Sequence, residues 1–359
     1  MTAERRRCAI LGAGGYIGQH FARLLADHPW FDPAELVSSE RSEGRRLEDV
    51  WLLSEPVPPS LAGVRLRRRG PAALAAASTE LAFSALPPGV AGPFETALAR
   101  KGIAVFSNAS DHRLDPGVPL LVPEVNAPHL AVATRRARGT APIVTNPNCS
   151  ATGLALALAP ILEILRPRTV VVSTYQALSG AGFPGVPSLA ITDNVLPYIA
   201  AEEEKLARET GYLLGTIDAG RVRPADVRLV PQCARVGVRE GHLESVTLEA
   251  TRAPPERKLR DAWKRFDPLR ALDLPTAPHP PIELRTAPDR PQPLKDRWAG
   301  APARARGMAA VVGRVRFEAP FLRFFVLSHN AVRGGAGGSV LNAELAERTG
   351  ALPKRGRAT

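Results

Sequence analysis

The chain has 359 residues, 45% of them hydrophobic, and a formal net charge of +12. This length and apolar content allow a large core and favour two domains over one. No run of about 18 uninterrupted apolar residues occurs, and the first residues lead directly into a strand-like segment without a signal-peptide pattern. We therefore exclude a membrane-spanning protein and expect one that resides in the cytoplasm.

The three cysteines, Cys8, Cys149 and Cys233, are odd in number and far apart in the sequence. Such an arrangement provides neither a disulfide framework nor a Cys-x-x-Cys metal site. We therefore expect no bound metal and no structural disulfide.

The positive charge comes almost entirely from arginine, since only six of the 47 basic residues are lysines. The basic clusters at residues 65–69 and 135–138 lack the interleaved aromatic side chains of single-strand binders. We interpret them as solvated surface and expect no nucleic-acid partner, although attraction to anionic ligands stays open.

The first predicted unit is a strand at residues 8–11, a glycine turn at residues 12–18 and a helix that ends before Pro29. Backbone N–H groups at such a helix start can bind a pyrophosphate. The glycines stand at 12, 15 and 18, which differs from the commonest dinucleotide-binding spacing. A tight turn without a ligand is the alternative.

A second predicted strand, residues 35–37, is followed by Ser38, Ser39, Glu40, Arg41 and Ser42. This is where the residue that reads the adenosine ribose is expected in a dinucleotide-binding fold. The hydroxyls and the arginine suit a 2′-phosphate, which favours NADP. If Glu40 instead bonds a ribose hydroxyl, the cofactor would be NAD.

Further strand patterns at residues 81–86 and 104–107 flank a predicted helix at 93–100. Strands that alternate with helices over the first part of the chain predict an N-terminal Rossmann-like, doubly wound parallel sheet of the α/β class.

A tight turn at residues 146–150 precedes the apolar run 151–158 and places Cys149 in the first turn of a predicted helix. Unpaired N–H groups and the helix dipole favour a thiolate there. Cys149 is therefore a candidate nucleophile, and the alternative is a small buried residue at a helix start.

The remainder of the chain predicts a second, α+β domain on a mainly antiparallel sheet. Its strands are predicted at residues 169–175, 227–230, 243–251, 308–317 and 321–328, with a helix at 256–266. The Pro- and Arg-rich segment 275–305 is predicted to be irregular or mobile. A closing helix at 340–346, ended by Gly350, is expected to return to the first domain. The predicted domains are residues 1–147 with 331–359, and residues 148–330.

A cysteine nucleophile needs an acid/base partner, and His242 at the mouth of a strand is a candidate, with a structural histidine as the alternative. Gln176 and the loop at 179–187 follow a strand directly, as a lid, a cofactor-facing loop or a subunit contact would. The charged run 202–205 opens an amphipathic helix, where a solvated face is the alternative to a binding role.

Together these ordered motifs resemble the aspartate-β-semialdehyde dehydrogenases, in particular the branch typical of archaea and fungi. The resemblance extends nearly end to end and includes residues 108–113 and the Arg- and Gly-rich run 333–338. It implies that Cys149 is the nucleophile, His242 the general acid/base and Gln176 the residue that orients a thioester.

The resemblance also implies the binding residues. Arg235 and Glu202 would hold the substrate's carboxylate and amino group, and Arg113 and Lys205 would bind phosphate. On physical grounds, the backbone N–H groups at the start of the Cys149 helix and the Asn148 side chain are candidates to stabilise the oxyanion. The residues implied to face NADP are Gly12, Gly14, Gly15, Tyr16, Ile17, Gly18, Ser38, Ser39, Arg41, Ser42, Leu86, Ser179, Gly180, Ala181, Gly182 and Asn330.

The implied reaction is the NADPH-dependent reduction of β-aspartyl phosphate to aspartate semialdehyde, a step of lysine, threonine and methionine biosynthesis, by a homodimer or homotetramer. The chain departs from the family pattern at Gly14, Gly237 and Arg239, where Thr, Pro and an acidic residue are usual. Arg239 adds positive charge near His242, which would lower the pKa of His242 or change what the pocket accepts. A malonyl-CoA-type reductase, a reductase of specialised metabolism and a non-catalytic nucleotide-sensing or nucleic-acid-binding protein stay open as alternatives.

Overall fold

The computed structural model describes residues 4–135, 139–252 and 254–353. Its strands are β1 (Arg6–Leu11), β2 (Phe31–Val37), β3 (Leu81–Ser84), β4 (Ala104–Ser107), β5 (Ile143–Thr145), β6 (Thr169–Gln176), β7 (Thr216–Asp218), β8 (Arg221–Arg223), β9 (Arg228–Arg235), β10 (His242–Glu249), β11 (Ile282–Arg285), β12 (Ala310–Glu318) and β13 (Phe321–Ser328). Its α-helices are α1 (Tyr16–Leu25), α2 (Pro59–Ala62), α3 (Pro71–Ala76), α4 (Ala91–Arg100), α5 (Pro123–Asn126), α6 (Cys149–Leu165), α7 (Ser188–Ile191), α8 (Glu202–Leu213), α9 (Glu256–Arg265), α10 (Pro293–Asp296) and α11 (Gly337–Arg348).

The chain divides into two compact units. The first unit comprises Met1–Leu121, Pro128–Asn146 and Gly335–Thr359, and the second comprises Val122–Ala127 and Pro147–Gly334. The predicted basic cluster at residues 135–138 falls largely outside the described residues.

The first unit contains a five-stranded parallel sheet in the order β2-β1-β3-β4-β5. Strands β3 and β4 inside this sheet are completely buried and mostly apolar, as expected for a parallel sheet with helices on both faces. The C-terminal helix α11 belongs to this unit, where His28 Nε2 lies 2.9 Å from Glu344 Oε1. The predicted Rossmann-like doubly wound sheet is thus confirmed.

Strand β2 is longer than the sequence predicted, because it begins at Phe31 and includes Pro33. It lies at the edge of the sheet, where a residue without an N–H group is tolerated. Strand β2 ends at Val37, and the N–H of the next residue, Ser38, donates to the Arg67 carbonyl at 3.0 Å.

The second unit contains a six-stranded mixed sheet in the order β11-β12-β13-β10-β6-β9. The three central pairs are antiparallel, and the outermost pair on each side is parallel. The mainly antiparallel second sheet is therefore confirmed, with parallel pairs at its edges. Strand β9 extends well beyond the predicted residues 227–230, because its Pro231 is tolerated at an edge.

The segment 275–305 contains β11, α10 and a short 3₁₀ turn, so the prediction that it is irregular is wrong for these residues. The buried Asp296 carboxylate orders it by accepting hydrogen bonds from Arg285 Nε at 3.0 Å, Arg290 Nε at 2.6 Å and the Gln292 N–H at 2.7 Å. These bonds span only 4–11 residues, but they depend on the folded path of the segment and do not follow from its Pro- and Arg-rich composition.

None of the described helices is both long enough and apolar enough to cross a bilayer.

Candidate active site

Cys149 is the first residue of α6, as the sequence predicted. The preceding Asn148 caps this helix, because its side-chain oxygen accepts hydrogen bonds from the N–H groups of Ser150 at 2.9 Å and Ala151 at 3.2 Å. Cys149 is half-buried in the second unit, where the dipole of a 17-residue helix stabilises negative charge on its sulfur.

Two carboxylates on α8 hold the cap in place. Asn148 Nδ2 donates to Glu202 Oε1 at 2.9 Å, and the Asn148 N–H donates to Glu209 Oε2 at 2.6 Å. The two glutamates are seven residues apart, so they lie on one face of the helix two turns apart. Glu209 was not predicted from the sequence, although this spacing was the available signal.

His242 lies beside the nucleophile, with its Nε2 at 3.2 Å from Cys149 Sγ. It is the first residue of β10 and is completely buried. Burial, together with the charge of Arg235, lowers the pKa of His242 to about 3. Arg239, which was expected to cause this lowering, has an exposed side chain and is not its source.

The register of the second sheet brings together residues that are distant in sequence. Gln176 pairs with Arg235 between β6 and β9, while Leu243 pairs with Tyr175 between β10 and β6. His242 is therefore the next neighbour of Gln176, and all three polar side chains emerge on one face of the sheet. Gln176 Nε2 donates to Glu202 Oε1 at 2.8 Å, which connects this row to α8.

A backbone contact fixes the Arg235 guanidinium beside Gln176 and His242, since Arg235 Nη1 donates to the Ala177 carbonyl at 2.8 Å. Burial lowers the pKa of Arg235. The loop that contains Gly180 packs against it: a Cβ atom on Gly180 would lie 2.7 Å from Arg235 Nη1 and 3.1 Å from His242 Cε1. Gly180 was assigned to the cofactor, and the structure places it directly against these two side chains.

Asn330 ties this loop to the strand that carries His242. Its Nδ2 donates to Ser179 Oγ at 2.8 Å, and its Oδ1 accepts the Gly241 N–H at 2.9 Å. Ala181 completes a 3₁₀ turn and Gly182 follows it with a φ of +73°.

Gly334 packs against the nucleophile from the other side. A Cβ atom on Gly334 would lie 2.6 Å from Cys149 Cβ and 2.7 Å from Cys149 Cα. The sequence showed the glycine-rich run at residues 333–338. It could not predict this contact, because the two residues lie 185 positions apart.

Glu244 is a second buried carboxyl group that was not predicted from the sequence. It lies two residues after His242 on the same face of β10, and neither of its oxygens has a hydrogen-bond partner within the described residues. Burial, reinforced by the charge of Glu202, raises the pKa of Glu244 well above its usual range. The fold therefore favours the protonated form of this carboxyl group.

We expect Glu244→Gln to raise the free energy of unfolding more at pH 8 than at pH 5. Because the folded chain retains this proton above the ordinary pKa of 4.5, the natural protein loses stability as the pH rises, by up to about 1.4 kcal/mol per pH unit. Glutamine has no such proton to retain. Urea unfolding at both pH values checks this, with the exposed Glu204→Gln on α8 as control. An equal effect at both pH values would mean that the folded chain holds Glu244 ionised.

The first unit contains the glycine turn predicted to bind a dinucleotide. Gly12 has a φ of +78°, and a Cβ atom on Gly18 would collide with the Gly12 carbonyl. A Cβ atom on Gly14 would lie 3.0 Å from Ser42 Oγ, so the absence of a side chain there brings the turn against the polar loop after β2. Gly15 precedes α1, which begins at Tyr16 and Ile17. This close approach of backbone fits a pyrophosphate-binding turn.

The remaining predicted residues are divided between the units. In the first unit Ser38 is buried, Ser39 and Arg41 are exposed, Leu86 packs on the apolar core and Arg113 Nη2 donates to the Asn108 carbonyl at 2.9 Å. In the second unit Lys205 is half-buried, three residues after Glu202 on α8.

Among the described residues, no group of three or more His, Cys, Asp or Glu side chains is arranged to hold a metal ion.

Comparison with known proteins gives two family models and several full-length relatives. The semialdehyde dehydrogenase NAD-binding domain matches residues 7–133, and the semialdehyde dehydrogenase dimerisation domain matches residues 158–333. The aspartate-semialdehyde dehydrogenase of Archaeoglobus fulgidus is 44% identical over 347 residues, which covers 95% of this chain and 98% of the relative. The malonyl CoA reductase (NADP) of Metallosphaera sedula is 37% identical over 360 residues, 97% of this chain and 99% of the relative.

Among solved structures, that of aspartate semialdehyde dehydrogenase with NADP from Candida albicans superimposes with a TM-score of 0.84. It has 32% sequence identity and covers 96% of this chain and 99% of that protein.

Proposed function

Because the chain belongs to the semialdehyde dehydrogenase family, as its sequence motifs predicted, we propose that it is an NADP-dependent aspartate-semialdehyde dehydrogenase. It converts β-aspartyl phosphate to aspartate semialdehyde, in the cytoplasm, as a step of lysine, threonine and methionine biosynthesis. The observation that carries this proposal is the 3.2 Å contact between Cys149 Sγ and His242 Nε2 at the start of a helix.

The nucleotide-binding features of the first unit fit NADP. The turn at residues 12–18 admits a close backbone approach to a pyrophosphate, and Ser39, Arg41 and Ser42 provide hydroxyls and a guanidinium for a 2′-phosphate. When bound, NADPH supplies the hydride.

The second unit supplies the nucleophile and its positioning contacts. The Cys149 thiolate attacks the acyl carbon, phosphate leaves, and a thioester forms on the sulfur. Asn148 uses both ends of its amide in the cap and in the bond to Glu202, so we assign it the role of positioning the helix start. His242 Nε2 lies beside the sulfur, where negative charge develops on the substrate oxygen.

Substrate recognition would use the charged groups around this row. Arg235, buried and fixed by the Ala177 carbonyl, would bind the substrate's carboxylate. Both side-chain bonds to Glu202 go to Oε1, which leaves Oε2 for the amino group. Arg113 and Lys205 would bind the phosphate. These assignments favour an amino-acid phosphate over other acyl groups.

A second candidate is an acyl-CoA reductase. The 37% identity to a malonyl CoA reductase along almost the entire chain favours it, because the same cysteine and histidine would form a thioester from either substrate. Glu202 distinguishes the two, since a malonyl group has no amino group for it to bind.

We also propose a homodimer or homotetramer that forms through the second unit. The family model for this region is a dimerisation domain, and the outer face of β6 exposes Val171 and Tyr175 by about 40% each.

The test uses the purified protein with two substrate pairs. We expect NADP reduction with aspartate semialdehyde and phosphate, and slower or no NADPH oxidation with malonyl-CoA. The opposite ranking would support the acyl-CoA reductase, and a preference for NAD over NADP would contradict the assignment of Ser39 and Arg41. Activity with neither substrate would overturn the proposed function.

A further inference from the structure

We propose that Arg68 binds the 2′-phosphate of NADP, in exchange for a contact with Glu40, and so contributes to the preference for NADP over NAD. The inference rests on the dinucleotide site of the proposed function and adds a residue from outside the loop at 38–42. Arg68 belongs to the basic cluster at residues 65–69, for which the sequence indicated a solvated surface.

A short extended segment lies beside β2 and continues the parallel sheet outward. Val37, the last residue of β2, forms a parallel bridge with Arg67. The Arg67 N–H donates to the Leu36 carbonyl at 3.0 Å, and the Ser38 N–H donates to the Arg67 carbonyl at 3.0 Å. Arg68 therefore directly follows this segment, in the way that Ser38 directly follows β2. Both residues stand at the carboxyl edge of the sheet, where the ribose of a dinucleotide binds.

The alternation of side chains along the segment directs Arg68 toward the glycine turn. Leu66 is completely buried, and its Cδ1 lies 3.3 Å from the position that a Cβ atom on Gly14 would occupy. Since successive side chains of an extended segment point to opposite faces, Arg68 shares the face of Leu66, and Arg67 points to the other. The same position at Gly14 is 3.0 Å from Ser42 Oγ, so the glycine turn, the loop after β2 and this segment converge.

The neighbouring arginines of the cluster are engaged elsewhere. Arg65 Nη1 donates to a backbone carbonyl at 2.6 Å, and Arg69 Nε lies 3.5 Å from Glu35 Oε2. Arg68 Nη1 lies 4.0 Å from Glu40 Oε1, which is too long for a hydrogen bond. The guanidinium of Arg68 is therefore beside the ribose-reading loop with donors that a ligand can use.

The contact with Glu40 is weak enough for a phosphate to replace it. The side chains of Arg68 and Glu40 are 59% and 86% exposed, and exposed ion pairs contribute little to stability. A phosphate monoester has a charge of about −1.5 to −2 near neutral pH and can accept paired hydrogen bonds from one guanidinium. It should therefore bind Arg68 more strongly than the carboxylate does. NAD has only a hydroxyl at this position and offers no such exchange.

The test is equilibrium binding of NADP and NAD to the full chain by isothermal titration calorimetry, without turnover. We expect Arg68→Gln to weaken NADP binding by about tenfold and to change NAD binding by less than about twofold. Arg67→Gln removes the same charge from the adjacent position on the opposite face, so both affinities should change by less than about twofold. The probes 2′-AMP and 5′-AMP, which differ only in the position of the phosphate, should behave like NADP and NAD respectively.

Glu40→Gln tests the exchange separately. Without the carboxylate, NADP should bind about twofold to threefold more tightly, and this gain should disappear when Arg68→Gln is also present. An unchanged NADP affinity in Arg68→Gln, or an equal weakening by Arg67→Gln, would overturn the proposal. A natural chain that binds NAD as tightly as NADP would contradict the cofactor assignment itself. A wrong acyl substrate would appear in turnover assays and leave these affinities as expected.

Discussion

Replacing Cys149 with alanine is expected to lower turnover by about 10⁴-fold or more while the chain stays folded. The variant lacks the nucleophilic atom that lies 3.2 Å from His242 Nε2. The cap that forms the helix start belongs to Asn148 and does not involve the sulfur, so α6 should persist in the variant. The measurement is kcat for NADP reduction by the purified variant, together with its thermal unfolding midpoint.

The other two thiols provide the control for this experiment. Burial raises the pKa of the Cys8 thiol well above its usual range and that of Cys233 to about 12, so neither forms a reactive thiolate near neutral pH. Cys8→Ala should therefore keep its turnover, with a modest loss of stability from the small cavity. Iodoacetamide should modify the natural chain at Cys149 alone. Turnover that survives Cys149→Ala would eliminate the thioester mechanism.

Gly334→Ala is expected to reduce activity by about 10²-fold and to cost about 1–3 kcal/mol of stability. The new methyl group would lie 2.6 Å from Cys149 Cβ, 2.7 Å from Cys149 Cα and 3.0 Å from the Cys149 carbonyl oxygen, and two of these three atoms are backbone that cannot rotate away. The Gly334 N–H also donates to the His329 carbonyl at 3.1 Å, which limits how far the segment can retreat. The first turn of α6 must therefore shift, and the sulfur with it.

The matched control is Gly237→Ala. A Cβ atom there meets only the Ile191 carbonyl at 3.9 Å, an ordinary contact, so activity and stability should change little. The measurements are the steady-state kinetics and the urea unfolding of both variants. If Gly334→Ala behaves like Gly237→Ala, the packing of Gly334 against the nucleophile does not position it.

Sequence patterns predicted the features of this fold that depend on near neighbours. The helix start at Cys149 follows from a turn and an apolar run within thirteen residues, and the α/β unit at residues 6–25 follows from glycines between a strand and a helix. Strands β2 and β9 were predicted too short because Pro33 and Pro231 signal a break, whereas only the position at a sheet edge makes them acceptable.

The candidate site was harder to predict, because its contacts depend on register and helix docking. The family resemblance named Gln176, Arg235 and His242, but their row exists only once β9, β6 and β10 pair in the observed register. Glu209 lies on a helix that reads as a charged surface, and it is buried only because α8 packs on α6. The orientation of the His242 ring depends on the Ala177 N–H, which donates to Nδ1 at 3.0 Å, and a backbone donor leaves no signal in the sequence.

One oxygen atom of Glu202 links two parts of the active site. Glu202 Oε1 accepts from both Asn148 Nδ2 and Gln176 Nε2, so the helix cap beneath the nucleophile and the amide on the neighbouring strand are anchored to the same atom. The start of α6 and the Gln176 side chain therefore cannot be repositioned independently, because any displacement of this one carboxylate disturbs both of them at once.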